Sequence, residues 1–256
     1  DTLLKERKVP ADELRNHLMR GLVQGLANLD PKLASAFVID QTENGNRAAY
    51  GMMHTVVESV LRTGKVSNAA QWAEELPEGH ARNIAMNRVA NRYVNEDPQA
   101  AAAWAETYAD QPESAGVIGE VGYHWASEDP QSAVAWVTTL PEGHGKHVGM
   151  HRALHEWADE DPAAASEYLA AQPSSSVKNA AVSGFSRRLA WEDPQAAVTW
   201  AETITSEKER TETMIGVGRA WVRKDAAAAA DWVASSGFPD NVQQAILNPP
   251  KDRRRR

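Results

Sequence analysis

The chain has 256 residues, 42% hydrophobic and 24% charged, with a formal net charge of −8. That charge argues against a general binder of nucleic acid or of anionic membranes. The lack of cysteine excludes disulfides, Cys-ligated metals and thiol nucleophiles. No run reaches the roughly 18–20 apolar residues of a membrane span, so no membrane insertion is expected. No segment reads as a signal peptide. With Asp1 in the first place instead of a Met, the compartment stays open between cytoplasm and export after processing.

Residues 1–10 are polar, and Pro10 opens a first firm helix over 11–28. Leu14, Leu18, Leu22 and Leu26 recur at i, i+4, with Met19 and Val23 alongside, which makes one sticky face. Region 1–29 thus reads as an N-terminal capping helix whose partner helix is missing. A divergent first repeat follows, with Asp30-Pro31, Phe37, a turn at Asn44-Gly45-Asn46 and a second helix of roughly 47–62. In the next unit Lys65-Val66 stands at the Asp-Pro place, and Trp72-Ala73 keeps the register.

From there the chain repeats itself. Asp97-Pro98…Trp104 returns as Asp129-Pro130…Trp136, Asp161-Pro162…Tyr168, Asp193-Pro194…Trp200 and Asp225-Ala226…Trp232, each 32 residues after the last. A fixed period of this size marks a repeat array. In each unit Asp suits a helix N-cap and Pro the first helical place, where its missing N–H is not needed. A short, Ala-rich helix A of about ten residues ends at Leu76-Pro77, Gln111-Pro112, Leu140-Pro141 or Gln172-Pro173. Helix B then runs to the next Asp-Pro, and its apolar residues (Met150, Ala153 and Trp157, for example) recur at steps of three and four. Eight of the nine Trp fall on two recurring core places; Trp191, near Leu189 at the helix B place, falls outside them and is expected to be partly exposed.

These observations predict an all-α, right-handed α-solenoid of about seven helix-turn-helix repeats and roughly 14 helices. The array covers 30–247, with units starting near 30, 65, 97, 129, 161, 193 and 225. The last unit, ending at Leu247, reads as a polar C-terminal cap, and 248–256 as a basic, mobile tail. Four arginines, Arg253–Arg256, give at most a weak, salt-sensitive contact, and an expression remnant explains them equally well.

The phrase Asp97-Pro98-Gln99-Ala100-Ala101 through Trp104 resembles the junction between tetratricopeptide repeats. The order Arg82…Ala85…Val89-Ala90 followed by Asp97-Pro98…Ala101 resembles short HEAT-like repeats equally well. The likeness spans roughly 65–235. The period is shorter than the 34 of tetratricopeptide repeats, and their helix A Gly/Tyr pair is absent. Both groups are mostly protein-binding scaffolds, and that is what the resemblance implies.

Core places are uniform in such arrays, and the variable polar places meet partners. On helix B these are Asn87, Arg88, Asn91 and Arg92; Glu120 and His124; His151, Arg152 and His155; Arg187 and Arg188; and Arg219 with Arg223. Together with Trp191 they form the expected contact surface for another protein or peptide. His147, His151 and His155 share one helix face, so a neighbouring pair could hold a divalent ion. The outer two are about 12 Å apart at ~1.5 Å per residue, too far to share it. The same row holds Asn83, Asn87 and Asn91 in one unit and Asn179, Ser183 and Arg187 in another, which favours a plain polar outer row without metal. The pairs Glu96-Asp97, Glu128-Asp129, Glu160-Asp161 and Glu192-Asp193 form an acidic edge explained by helix capping. No P-loop, nucleophile elbow, HExxH or dinucleotide fingerprint occurs, so no catalytic residue and no cofactor is expected. The reading is therefore a non-enzymatic scaffold. The alternatives are a structural subunit of a larger complex and a helical-repeat enzyme or lyase, which would need ionisable groups converging in a closed concavity.

Overall fold

The computed structural model describes residues 11–111 and 114–248, with 11–15 and 47 described in their backbone alone. The tail at 249–256 and Pro112 lie outside the described residues, as does the side chain of Leu14. Every regular element is helical among the described residues, and none of the helices is long and apolar enough to cross a membrane.

The chain divides into two compact units at Asp97. The first holds α1 (Ala11–Leu29), α2 (Pro31–Glu43), α3 (Tyr50–Thr63), α4 (Val66–Glu74) and α5 (His80–Glu96), with one short 3-10 turn at Arg47–Ala49. The second holds α6 (Pro98–Glu106), α7 (Ser114–Glu128), α8 (Pro130–Thr139), α9 (His144–Glu160), α10 (Pro162–Ala171), α11 (Ser176–Leu189), α12 (Pro194–Glu202), α13 (Glu207–Lys224), α14 (Ala226–Ser235) and α15 (Asp240–Leu247). Within each unit neighbours pack in chain order. In the second, the B helices α7, α9, α11 and α13 pack one on the next, α6 lies beside α7, and α8, α10, α12 and α14 each lie beside the B helices before and after them. This is the stacked-hairpin layout of a helical solenoid.

The helix starts follow from local chemistry. Carboxylate oxygens of Asp129, Asp161 and Asp193 accept the backbone N–H of Ser132, Ala164 and Ala196 at 2.9–3.0 Å. In each case Pro follows in the first turn. Asp30 and Asp225 do the same for two N–H groups each. The bond to Ser132 holds the Asp129 carboxyl below its ordinary range. Lys65, at the same place before α4, makes no side-chain cap. The second helix of the first repeat begins at Tyr50, later than the sequence suggests, because the 3-10 turn takes up 47–49. Gly45 turns the chain before it at φ +88°, a conformation that favours glycine.

Small residues set the spacing of the B helices in the second unit. A Cβ on Gly122 of α7 would stand 3.1 Å from the Gly149 carbonyl of α9, and one on Gly145 or Gly149 would strike Ile118. Between these layers aromatic side chains pair at regular intervals. Trp125 meets Trp136, Trp157 meets Tyr168 and Trp221 meets Trp232, with ring centroids 5.3–6.0 Å apart. Leu189 breaks this series at the helix B place. Phe185, one turn earlier and fully buried, replaces the missing ring by meeting Trp200 edge-on at 5.2 Å. Such pairs add about 0.5–1.5 kcal/mol beyond their burial.

Helix α1 corrects one expectation. Its buried residues are Val23 and Ala27, whereas Leu18 is 67% and Leu22 is 49% exposed. Leu18 and Leu22 lie on the side that α2 and α3 do not cover, whereas Leu26 is half-buried. Among the described side chains of this helix, Leu18 and Leu22, with Leu29 at its end, are therefore the large apolar ones left exposed.

Candidate functional site

In the first unit Arg88 reaches Glu58 on α3 and Arg92 reaches Glu96 one turn on, both at 2.7 Å. Glu58, Arg88 and Arg92, together with Asn91 and Arg62, line an open hollow of about 560 Å3. Asn87 is half-buried beside them.

In the second unit the side chains chosen from the sequence meet across the seams between B helices. Arg152 of α9 ion-pairs with Glu120 of α7 at 2.5 Å, and His124 lies 3.6 Å from the same carboxylate. Hydrogen bonds from His124 and Arg152 hold the Glu120 carboxyl below its usual range, against the effect of burial. These three line a shallow cleft of about 300 Å3 with Tyr123, His151 and His155. Tyr123 donates to Glu156, and this bond, helped by burial, pushes its pKa up to about 12. Burial, with Arg187, His155 and Arg152 nearby, lowers His151 to about 4. Burial and Arg188 lower His155 as well. Both rings are thus neutral at pH 7 and offer one donor and one acceptor nitrogen each.

The next seam continues the pattern. Arg188 of α11 binds Asp159 of α9 and, at 2.9 Å, Glu192 one turn on. Arg187 lies over Gly216 of α13 and donates to the Glu212 carbonyl at 3.2 Å. Arg219 of α13 donates to the Ala245 carbonyl on α15 at 2.8 Å. Thr213 and Ser183 hydroxyls join α13 to α11 at 2.8 Å. Trp191, just past α11, is 46% exposed as expected. The Arg223 guanidinium sits 5.9 Å above its ring, and Lys224 donates to its backbone carbonyl at 3.0 Å.

The row expected to be a free outer surface is therefore largely a set of staples between consecutive repeats. Asn179 shows the reason. Its place was assigned to the outer row, yet it is buried and bonds Thr205 and Glu209 at 3.1 Å. Glycines bring the B helices so close that long polar side chains at this register lie in the seam. Among the described residues His147, His151 and His155 do not converge as ligands. His147 Nε2 instead faces the Ser176 hydroxyl at 3.2 Å. The only grouping of metal-ligand type there is Glu156, Asp159 and Glu160, whose oxygens lie within 4.8 Å of one another. Arg188 already holds Asp159.

Tyr123 and Glu156 were missed from the sequence. Tyr123 shares a register with Asn91, His155, Arg187 and Arg219, all spaced by 32, and that register is the signal that would have found it. The arrangement supplies neutral imidazoles, guanidinium groups and one exposed indole, a hydrogen-bonding and stacking surface. No protein-family model, no curated protein and no solved structure matches this chain.

Proposed function

We propose that this chain is a non-enzymatic solenoid that binds or scaffolds another protein through the B-helix face of its second unit, centred on Trp191. The supporting observation is Trp191 itself. It is the one large hydrophobic side chain left exposed in that unit among the described residues. Trp and Arg anchors of this kind carry most of the energy at protein interfaces. Arg223 lies over the indole and Lys224 holds the Trp191 backbone carbonyl, which lowers the entropy lost when a partner covers the ring. The resemblance to tetratricopeptide-like and HEAT-like repeats, mostly protein-binding scaffolds, supports the same reading.

A second reading, a structural subunit of a larger assembly, is favoured by the exposed Leu18, Leu22, Leu29 and Leu33 of the first unit. Co-purification of the tagged full chain with mass spectrometry separates the two. The scaffold reading expects a stoichiometric partner that Trp191→Ala loses while Leu22→Lys keeps it. The subunit reading expects the reverse. A monomer that retains nothing under gentle lysis counts against both.

A further inference from the structure

One cleft of the second unit, at the end of the α9–α11 seam, belongs neither to the Glu120 cleft nor to the Trp191 surface. It encloses about 370 Å3 between the α8–α9 and α10–α11 links. Met150, Ala181 and the Tyr168 ring are among its apolar lining, and Lys146, Ser175 and Ser176 are among its polar lining. It shares no lining residue with the cleft around Glu120.

The cleft exists where the repeat departs from its own pattern. Tyr168 stands where Trp104, Trp136 and Trp200 stand in other units, so a smaller ring, and one carrying a hydroxyl, occupies the aromatic place. Gln172 stands where the following unit has Ile204, which is fully buried. There Asn179, Thr205 and Glu209 also close the link region by hydrogen bonds. In the Tyr168 unit a hollow remains.

Lys146 is the second departure. Lys178 and Arg210, at the same register in the next two units, each cap the end of helix A by donating to the carbonyl six residues back. The bonds are Lys178 to Gln172 at 2.7 Å and Arg210 to Ile204 at 2.8 Å. Lys146 instead turns into the cleft. It is only 9% exposed, and its ammonium bonds Glu142 at 2.8 Å, a carboxylate that is itself 67% exposed. An ammonium has three donors, so two remain beyond this one bond. The first-turn N–H groups of Ser176 and Val177 add the positive end of α11 to the same wall, and Lys178 adds a second cation. Two lysines against Glu142 leave this cleft net positive on a chain of net charge −8.

We infer that this cleft binds a carboxylate carried on a short apolar body. The carboxylate pairs with Lys146 and the N-terminus of α11, displacing the solvent-side Glu142, while the apolar body lies on Met150, Ala181 and Tyr168. A free fatty acid and the C-terminus of a peptide ending in Leu share this chemistry.

Calorimetric titration of the full chain tests it. The probes are octanoate and an acetylated tripeptide ending in Leu, with octanamide and the amidated tripeptide as uncharged controls. The parent binds at least one acid saturably and neither control, and the tighter acid identifies the source of the carboxylate. Lys146→Met weakens that binding by roughly tenfold or more, as loss of a charge-assisted bond requires. Tyr168→Trp fills the hollow from the opposite wall while leaving the ammonium in place, and it lowers affinity similarly. Circular dichroism checks both variants, and if Lys146→Met does not fold, Tyr168→Trp decides alone. No binding of either acid by the parent, equal binding of acids and uncharged controls, or parent-like affinity in the folded variants overturns the assignment.

Discussion

Gly184 of α11 lies directly against the backbone of His151 on α9, so closely that a Cβ there would stand 1.9 Å from the His151 carbonyl oxygen. No rotation of a side chain relieves that contact, because both partners are backbone. Gly184→Ala therefore has to part the two helices and weaken the seam around them. The expected loss is about 2 kcal/mol or more in urea melts, the upper part of the range for overpacking. Gly143→Ala is the control, since its φ of 165° is extended and nothing lies near its missing Cβ. It is expected to stay within about 0.5 kcal/mol of the parent. Equal losses for the two variants would contradict this account of the seam.

The His151 side chain makes the seam sensitive to pH. Burial of His151, with Arg187, His155 and Arg152 nearby, lowers its pKa from 6.5 to about 4 on folding. Below pH 6.5 the unfolded chain therefore takes up a proton that the folded chain refuses. Stability is full above that pH and declines as pH falls towards 4, by roughly 3 kcal/mol at most, less whatever solvent screening removes. His151→Gln should flatten the melting temperature against pH in that window. A slope identical to the parent's would show that other groups carry it.

Helix starts are tested one at a time. Asp193→Ala removes the oxygen that accepts the Ala196 N–H at 2.9 Å and should cost about 1 kcal/mol. Asp193→Asn keeps an acceptor and should recover most of that loss in the same denaturation series.

Trp191 gives an optical prediction that needs no partner. Four of the other indoles, Trp72, Trp136, Trp157 and Trp221, are buried, and Trp191 is 46% exposed. Acrylamide should therefore quench a red-edge component that Trp191→Phe abolishes, with little change in the melting temperature. Unchanged quenching would place the accessible indole elsewhere.

How legible each feature is depends on the range of the interaction behind it. Asp129, Asp161 and Asp193 cap helices through bonds three residues away, so the periodic Asp-Pro phrase carries their role within itself. Trp191 is legible for a similar reason, since it stands off a register that the other eight indoles keep. The seam is not legible in this way. Whether Asn179 or Arg187 faces water depends on how near the next B helix lies, and that is set by glycines about 30 residues along the chain. Helix α1 shows the same limit. Both Leu18 and Val23 belong to its apolar set, but only the positions of α2 and α3 decide which of them is covered. The Tyr168 cleft is written in the sequence only as a smaller aromatic at a Trp place, which has no meaning until the hollow beside it is seen.

The Arg152–Glu120 pair has a consequence for how such a chain can be rebuilt or can evolve. The two residues occupy the same place in consecutive units, 32 residues apart, and are opposite in charge. Duplicating residues 129–160 would leave the second copy of Arg152 facing the first instead of a carboxylate. The repeats look alike in their caps and core, yet their edges are keyed, so their order along the array is not free to be shuffled.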